Sequence, residues 1–402
     1  MIGFIDDVLD RITMYRLALY YLIALVLVAF ALGLTGSLAL TRLDLAFSAL
    51  LVLAVCWLAN FVFVRVFAVP ESRDSVWITA LILVLIMSPA HWTDWDGIGA
   101  LVFASVWAMA SKYIVAIGRR HVFNPAAFAA AMSGLLLDHP PTWWIAGNAA
   151  MLPFIVIGGL LTVRKLQRGD LVTSCIVATG VTILLTSVPG DDWTALVNIV
   201  VYSPLVFVAF VMLTEPLTTP PGRRERILYG ALVGVLLTPT IHIGALYFTP
   251  EAAILIGNLF AWTVSPKRRF ALTLQKVERS AATAYDYVFG SDRPLAFSPG
   301  QYLEFALGLP HGDSRGNRRY FTIASAPTED AIRLGVKFNP DASAFKRALA
   351  GMKPGDTIFA SGLAGDFVLP ADGDAKLVFL AGGIGITPFR SMLRYQIGRA
   401  HV

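Results

Sequence analysis

Up to about residue 265 the chain is a succession of apolar runs broken by short polar loops; beyond it the runs give way to alternation. A bilayer core needs about 20 apolar residues per helix. Runs of that length, or slightly shorter, fall at 14–35, 44–66, 75–90, 97–117, 122–138, 142–163, 170–188, 193–213, 227–247 and 251–265. They predict a polytopic α-helical membrane domain of about ten helices. The third, fifth and tenth runs are short, as suits tilted, re-entrant or broken segments. After Lys267-Arg268-Arg269, residues 270–274, 301–305, 319–323, 332–336 and 357–360 read as strands, with Ser298-Pro299-Gly300 and Lys353-Pro354-Gly355-Asp356 as turns between strands. Many short strands over about a hundred residues predict a small antiparallel β-barrel, interrupted by one helix near 342–349. Lys376 to Ala381 reads as a further, buried strand, followed by a Gly-rich turn and a helix from Phe389.

Composition agrees with that division. Hydrophobic residues make up 56% and charged residues 15%, against about 25% charge in a soluble domain. The net charge of +5 does not point to nucleic acid, because the cations sit in loops between apolar runs. Arg65 and Arg73, Lys112, Arg119 and Arg120, Arg164, Lys165 and Arg168, Arg223, Arg224 and Arg226, and Lys267 to Arg269 fall on every second connection. The opposite connections carry Asp94, Asp96, Asp138, Asp191, Asp192 and Glu251, and Arg42 is the exception. The positive-inside rule then places both the N-terminus and the C-terminal domain in the cytoplasm of a multi-pass protein of the cell inner membrane. Trp92, Trp95, Trp143, Trp144 and Trp193 would form an outer aromatic belt. The two cysteines, Cys56 and Cys175, lie apart in apolar runs and suit neither a redox pair nor a cluster. No metal site is expected.

Polar residues interrupt several spans. His121-Val122-Phe123-Asn124-Pro125 opens one, Ser203-Pro204 breaks another, and Leu213-Thr214-Glu215-Pro216 closes it. Helix capping explains these as well as function does. Phe123-Asn124-Pro125-Ala126, Met212 to Pro216 with its Arg-rich turn, and Tyr229 to Val235 resemble the membrane-subunit family shared by Na+-translocating NADH:quinone reductase (Nqr) and the Rnf electron-transport complex. That resemblance implies a lipid-embedded redox protein with partners in an electron-transport complex. The family commonly attaches FMN through a Thr, but Ser133-Gly134-Leu135-Leu136 offers no such residue. A non-covalent second flavin or a quinone in the membrane domain remains open. Of the six histidines, only His242 is expected well inside a span, too few to stack haems.

In the barrel, Arg319 and Phe321 alternate with Tyr320 and Thr322 on one strand. A cation for a pyrophosphate, an aromatic surface for a flat ring and a hydroxyl for its edge lie within four residues. The pattern Arg319-x-Phe321-Thr322, with Tyr320 between, resembles the FAD-binding FR-type domain of the ferredoxin–NADP+ reductase superfamily. That resemblance implies FAD as cofactor: Arg319 on the pyrophosphate, Phe321 on the isoalloxazine and Thr322 facing N5 as the catalytic residue. It also implies Val336 and Lys337 along the ribityl–adenosine part and Ser343 as a second phosphate contact.

Ala381-Gly382-Gly383-Ile384-Gly385-Ile386-Thr387-Pro388 follows the last apolar stretch. Strand, Gly turn and helix is the context of a Rossmann-like βα unit. Gly382, Gly383, Gly385, Thr387 and Pro388 are therefore expected on the NAD(P)H side, with NAD(P)H as co-substrate. The expected domains are 1–265 (membrane), 266–373 (FAD barrel) and 374–396 (the start of a truncated nucleotide domain). Residues 397–402 look unlike a continuing helix. They match a reading frame of a common sequencing adapter, so they are expected to be an artefact. As it stands the chain is expected to bind NAD(P)H poorly. The whole reads as a membrane-bound flavoprotein oxidoreductase passing electrons from NAD(P)H through FAD to a quinone or redox-protein acceptor. The alternatives are a redox-driven Na+ or H+ translocating subunit and a non-enzymatic assembly subunit.

Overall fold

The computed structural model describes residues 9, 12–36, 38, 41–67, 73–117, 120–186, 192–265, 270–307, 318–340, 342–370, 372 and 375–400. Expectations for Arg119, Asp191, the Lys267-Arg268-Arg269 linker, the 373/374 boundary and residues 401–402 lie outside the described residues. The chain divides into two compact units, Met1–Pro220 with Arg224–Val264, and Ser265–Val402 with Pro221–Arg223.

The first unit is helical. Its helices are α1 (Met14–Leu34), α2 (Arg42–Phe67), α3 (Arg73–Ile86), α4 (Trp95–Ile114), α5 (Pro125–Leu137), α6 (Leu152–Leu166), α7 (Gly169–Thr186), α8 (Asp192–Tyr202), α9 (Leu205–Phe207), α10 (Arg223–Leu236) and α11 (Pro250–Val264). Four of them, α1, α2, α4 and α7, are long and apolar enough to cross a membrane. Among the described residues one bent pair, Trp193–Tyr202 and Leu205–Met212, meets at 59° and counts as a fifth if the two are taken as one span. The bend falls at Ser203-Pro204, where proline cannot donate to the helix ladder, and Val208–Met212 continues as a π-turn. The short runs become α3, α5 and α11, of 14, 13 and 15 residues.

Two expected spans are only partly helical. Residues 142–151 are turns ahead of α6, and α10 ends at Leu236 before a hairpin of β3 (His242–Ile243) and β4 (Leu246–Tyr247). Pro239 and Gly244, the latter at φ 60°, explain the second case. His242 therefore lies in an exposed hairpin, bonded to the Gly244 carbonyl at 2.8 Å, and not inside a span. A second hairpin, β1 (Ala116–Ile117) with β2 (Arg120–His121), precedes α5.

The aromatic belt also needs correction. Trp92, Trp95 and Trp193 are exposed, but Trp143 is buried at 5% and held in a left-handed turn, φ 50°. Its N–H donates to the Ile86 carbonyl at 2.9 Å, and the Trp144 indole donates to Val84 at 3.0 Å. Residues 143–145 thus satisfy carbonyls that the end of α3 would otherwise leave open. Glu251 is not a loop charge either. It lies in the first turn of α11, buried at 5%, and accepts from the Trp143 indole at 3.2 Å.

The second unit is a curled antiparallel sheet of β5 (Phe270–Arg279), β6 (Ala284–Ser291), β7 (Tyr302–Ala306), β8 (Arg318–Thr322), β9 (Ile332–Lys337) and β10 (Thr357–Ala364). Their order is β8-β7-β10-β5-β6-β9. Beyond the edge strand β8, Ala324 N–H donates to the Arg333 carbonyl on the other edge strand, β9, at 2.8 Å, so the sheet nearly closes on itself. Leu272, Leu274, Phe289, Leu303, Phe305, Leu334, Val336 and Ile358 fill the interior. The helix α12 (Ala344–Ala350) plugs it with Phe345 and Leu349. Strand β6 is absent from the sequence reading, although Tyr285, Tyr287 and Phe289 carry the alternation that could have revealed it.

Lys376 to Ala381 is not a strand. It has no ladder partner among the described residues, and Val378 and Leu380 are each 86% exposed. Strands exist by pairing, and an apolar run alone does not make one. The helix α13 (Thr387–Ala400) continues past Gln396 through four of the six residues expected not to extend it, and Gly398 packs against Thr328.

Candidate functional site

Strand β8 carries the Arg-x-Phe-Thr pattern, and its neighbour β7 sets the register. Arg319 lies opposite Phe305, Tyr320 opposite Glu304, Phe321 opposite Leu303 and Thr322 opposite Tyr302. Because Leu303 and Phe305 are fully buried, Arg319 and Phe321 share the concave face and Tyr320 and Thr322 the other. Phe321 is half-buried, with ring centroids 5.8 Å from Phe305 and 5.9 Å from Phe345. Tyr320 is 55% exposed, edge-on to Tyr302 at 5.6 Å.

The Arg319 guanidinium carbon is 5.6 Å from the Phe345 ring centroid, which brings it to the first turn of α12. Ser343 caps that turn, its hydroxyl accepting from Lys346 N–H at 3.3 Å. Arg319, Phe321, Ser343 and Phe345 therefore converge where the open edge of the sheet meets the helix start. A guanidinium, an aromatic edge and a capped helix start in one place fit the phosphate and ring ends of a flavin nucleotide. Val336 is different: the whole residue is 1% exposed and belongs to the core of the sheet. Lys337 is exposed, and its carbonyl accepts from the Lys346 ammonium at 2.7 Å.

The Gly turn is a single 3-10 turn, Gly383–Ile386, with Gly385 N–H donating to Gly382 carbonyl at 3.0 Å. Gly383 sits at φ 54°, which L side chains rarely adopt. Gly382, Gly383 and Gly385 are exposed, and Thr387 and Pro388 start α13. Thr387 rests on β9: a Cβ added at Gly335 would lie 2.6 Å from its methyl carbon. Arg390 and Ser391, one turn on, reach the backbone just beyond Thr322, with Arg390 donating to the Ala324 carbonyl at 2.6 Å and Ser391 to the Ser325 carbonyl at 2.7 Å. The structure thus joins the end of the Arg-x-Phe-Thr strand to the Gly turn. Gly335, Glu329, Arg390 and Ser391 escaped the sequence reading. Gly335 carried a signal, since glycine inside a strand marks a close approach.

The first unit holds a separate polar cluster. Asn124 caps α5 through Oδ1, accepting from Ala126 and Ala127 N–H at 3.1 and 3.0 Å. Its Nδ2 donates to Glu215 Oε2 at 2.9 Å, and His121 Nε2 lies 3.2 Å from Glu215 Oε1. Thr218 also donates to Glu215, at 3.2 Å. The fully buried Asn258 accepts from Asn124 N–H at 2.7 Å and donates to the Tyr229 hydroxyl at 2.9 Å. Capping is therefore only half of what Asn124 does.

Comparison with known proteins follows the same division. Residues 141–269 match the model of the NQR2, RnfD, RnfE family. A flavohemoprotein of Bacillus cereus is 32% identical over 137 residues, covering 32% of this chain and 34% of that protein. An NADPH oxidoreductase of Mycobacterium tuberculosis is 28% identical over 148 residues, covering 35% and 37%. The chain thus spans about a third of the length of the curated relatives it matches. Among solved structures, Amycolatopsis cytochrome P450 reductase aligns at 31% identity and TM-score 0.29, over 33% of this chain and 40% of that one. Ferredoxin NADP+ reductase from Neisseria gonorrhoeae, with bound FAD and NADP, aligns at 24% identity and TM-score 0.28, over 31% and 50%. The chain therefore joins a membrane region that matches the NQR2, RnfD, RnfE family model over residues 141–269 to a C-terminal region similar to part of the flavohemoproteins.

Proposed function

We propose that the chain is a membrane-bound flavoprotein oxidoreductase, taking electrons from cytoplasmic NAD(P)H and delivering them to an acceptor in or across the bilayer. One observation carries this reading: α13 and its Gly turn are tied to the backbone that follows Arg319–Thr322. Residues expected on the flavin and residues expected on the nicotinamide are thereby neighbours. FAD, when bound, supplies hydride acceptance and one-electron release. The chain's own residues bind and orient. Arg319 neutralises phosphate charge beside the start of α12, Phe321 offers an aromatic edge, and Thr322 offers a hydroxyl on the opposite face of the strand. Gly382, Gly383 and Gly385 leave the turn's backbone open to a dinucleotide. A quinone or a redox protein of a multi-subunit complex would take the electrons, and a second, non-covalent flavin in the membrane region is a further candidate. The loop charges favour a cytoplasmic N-terminus and FAD domain.

Absorbance spectra of the purified full-length chain, before and after NADH, test this. A flavin band that bleaches at high NADH concentration, as weak NAD(P)H binding requires, is expected, with Arg319→Ala lowering FAD affinity and Thr322→Val slowing bleaching while FAD stays bound. A chain without a flavin band would favour an assembly role, and Soret-region bands would point to haem. The Glu215 cluster favours a second reading, redox-driven cation transport, because His121, Asn124 and Thr218 together hold a carboxylate that is 23% exposed in the turn after the bent helix pair. Sodium-dependent turnover in liposomes would separate the two.

A further inference from the structure

One side-chain cluster of the C-terminal unit is used by neither the FAD residues nor the Gly turn. Glu329 and Arg390 form a two-pronged ion pair, Nη1 to Oε2 at 3.1 Å and Nη2 to Oε1 at 3.2 Å. Each partner is also fastened to backbone. Glu329 Oε2 accepts from Ala326 N–H at 2.6 Å, and Arg390 Nη1 donates to the Ala324 carbonyl at 2.6 Å. Ser391, fully buried, adds a bond to the Ser325 carbonyl at 2.7 Å. Residues 324–326 are themselves anchored to β9, through Ala324 N–H to the Arg333 carbonyl at 2.8 Å and Arg333 N–H to Ser325 Oγ at 3.1 Å. A forked guanidinium fixes direction as well as distance.

The alternative anchors of α13 are weaker in direction. Phe389 meets Phe367 and Phe379 edge-on or tilted, and Met392 sits over Gly300; apolar contacts of this kind hold the helix down but let it slide. The Thr387 contact at Gly335 limits approach from one side only.

We propose that Arg390 and Glu329 are positioning residues: by tying the first turn of α13 to the backbone just past Thr322, they set the spacing and angle of the Gly382–Thr387 turn against the flavin strand. This rests on the oxidoreductase reading above. Neither residue touches substrate; both act through the turn. Misplacing reacting groups by about 1 Å costs about 100-fold in rate. Glu329→Gln and Arg390→Met are therefore expected to lower the limiting rate of FAD reduction by about 10- to 100-fold.

The test uses the full chain in detergent, loaded with FAD and mixed with NADH in stopped flow. Expected are a fall in limiting rate for both variants, FAD affinity within about twofold of the unaltered chain, and only partial recovery of the rate in Arg390→Lys, which keeps the charge but loses the two-pronged fork. Hydrogen exchange should rise at residues 383–392 and stay constant in β5, β7 and β10. Unchanged limiting rates in the near-isosteric Glu329→Gln, with FAD bound, would overturn the proposal. So would FAD affinity falling in step with rate, since that marks lost folding and not lost position. If the unaltered chain fails to bind FAD, or NADH fails to reduce it, the oxidoreductase reading falls first and this inference with it.

Discussion

Replacing Gly234 with alanine probes the stretch Tyr229 to Val235, whose glycines the structure assigns to packing. Gly234 lies on α10 where it crosses α7, and an added Cβ would fall inside van der Waals contact of the Cys175 carbonyl oxygen. That atom is backbone, so it cannot swing aside. The same crossing carries an interhelical bond, Thr179 Oγ1 to the Gly234 carbonyl at 2.8 Å. Parting the helices to admit a methyl group costs about 1–3 kcal/mol in strain and lost packing. The stretched hydrogen bond adds about 0.6 kcal/mol, and the better helix propensity of alanine returns up to about 1 kcal/mol. With the full propensity gain returned, a net loss of about 0.6–2.6 kcal/mol follows from these terms. Gly180, on α7, is the control: its Cβ would meet only Leu196, at 3.9 Å, so Gly180→Ala should be neutral or slightly stabilising. Helicity followed by circular dichroism through an SDS titration, in one detergent for all variants, measures the difference. Equal midpoints for Gly234→Ala and Gly180→Ala would refute the packing argument and return the motif to a functional role.

Two further outcomes follow from hydrogen bonding and charge. Asn258→Leu removes the acceptor of Asn124 N–H and the donor to the Tyr229 hydroxyl; at about 1–3 kcal/mol for each buried group left unmade, the same titration should show a larger loss than Gly234→Ala. In the C-terminal unit, hydrogen bonds from Lys276 and then Arg333 push the Glu278 carboxyl down from 4.5 to about 2. A depressed carboxylate stabilises the fold fully above its unfolded value and loses that contribution as pH falls through the folded one. The stability gap between the unaltered chain and Glu278→Gln should therefore be steady near neutrality and close between pH 4.5 and about 2. A gap that widens on acidification would contradict the sign.

Local signals made much of the architecture legible. Apolar runs located the helices, and Ser203-Pro204 located the 59° break. Period-2 alternation placed Arg319 and Phe321 on one face of their strand, because side-chain direction there depends only on parity. Signals failed where a residue's state depends on a distant partner. Glu251 reads as a loop acid, yet it is buried because Trp143, 108 residues away in sequence, donates to it. His242 reads as mid-span because its neighbours are apolar, while the helix has ended at Leu236 ahead of Pro239 and Gly244 turns the hairpin that follows.

Sequence alone determined that the chain joins an apolar helical block to a small antiparallel sheet, and that one strand of the sheet carries Arg319, Phe321 and Thr322 within four residues. Periodicity and turn chemistry are properties of neighbouring residues, so no partner is needed to read them. Tertiary structure alone decided that Lys376 to Ala381 finds no ladder partner among the described residues, that Phe321 leans on Phe345, and that Arg390 meets Glu329 across 61 residues. Pairing, burial and ion-pair geometry depend on which segments the folded chain brings together, and no local pattern carries that information.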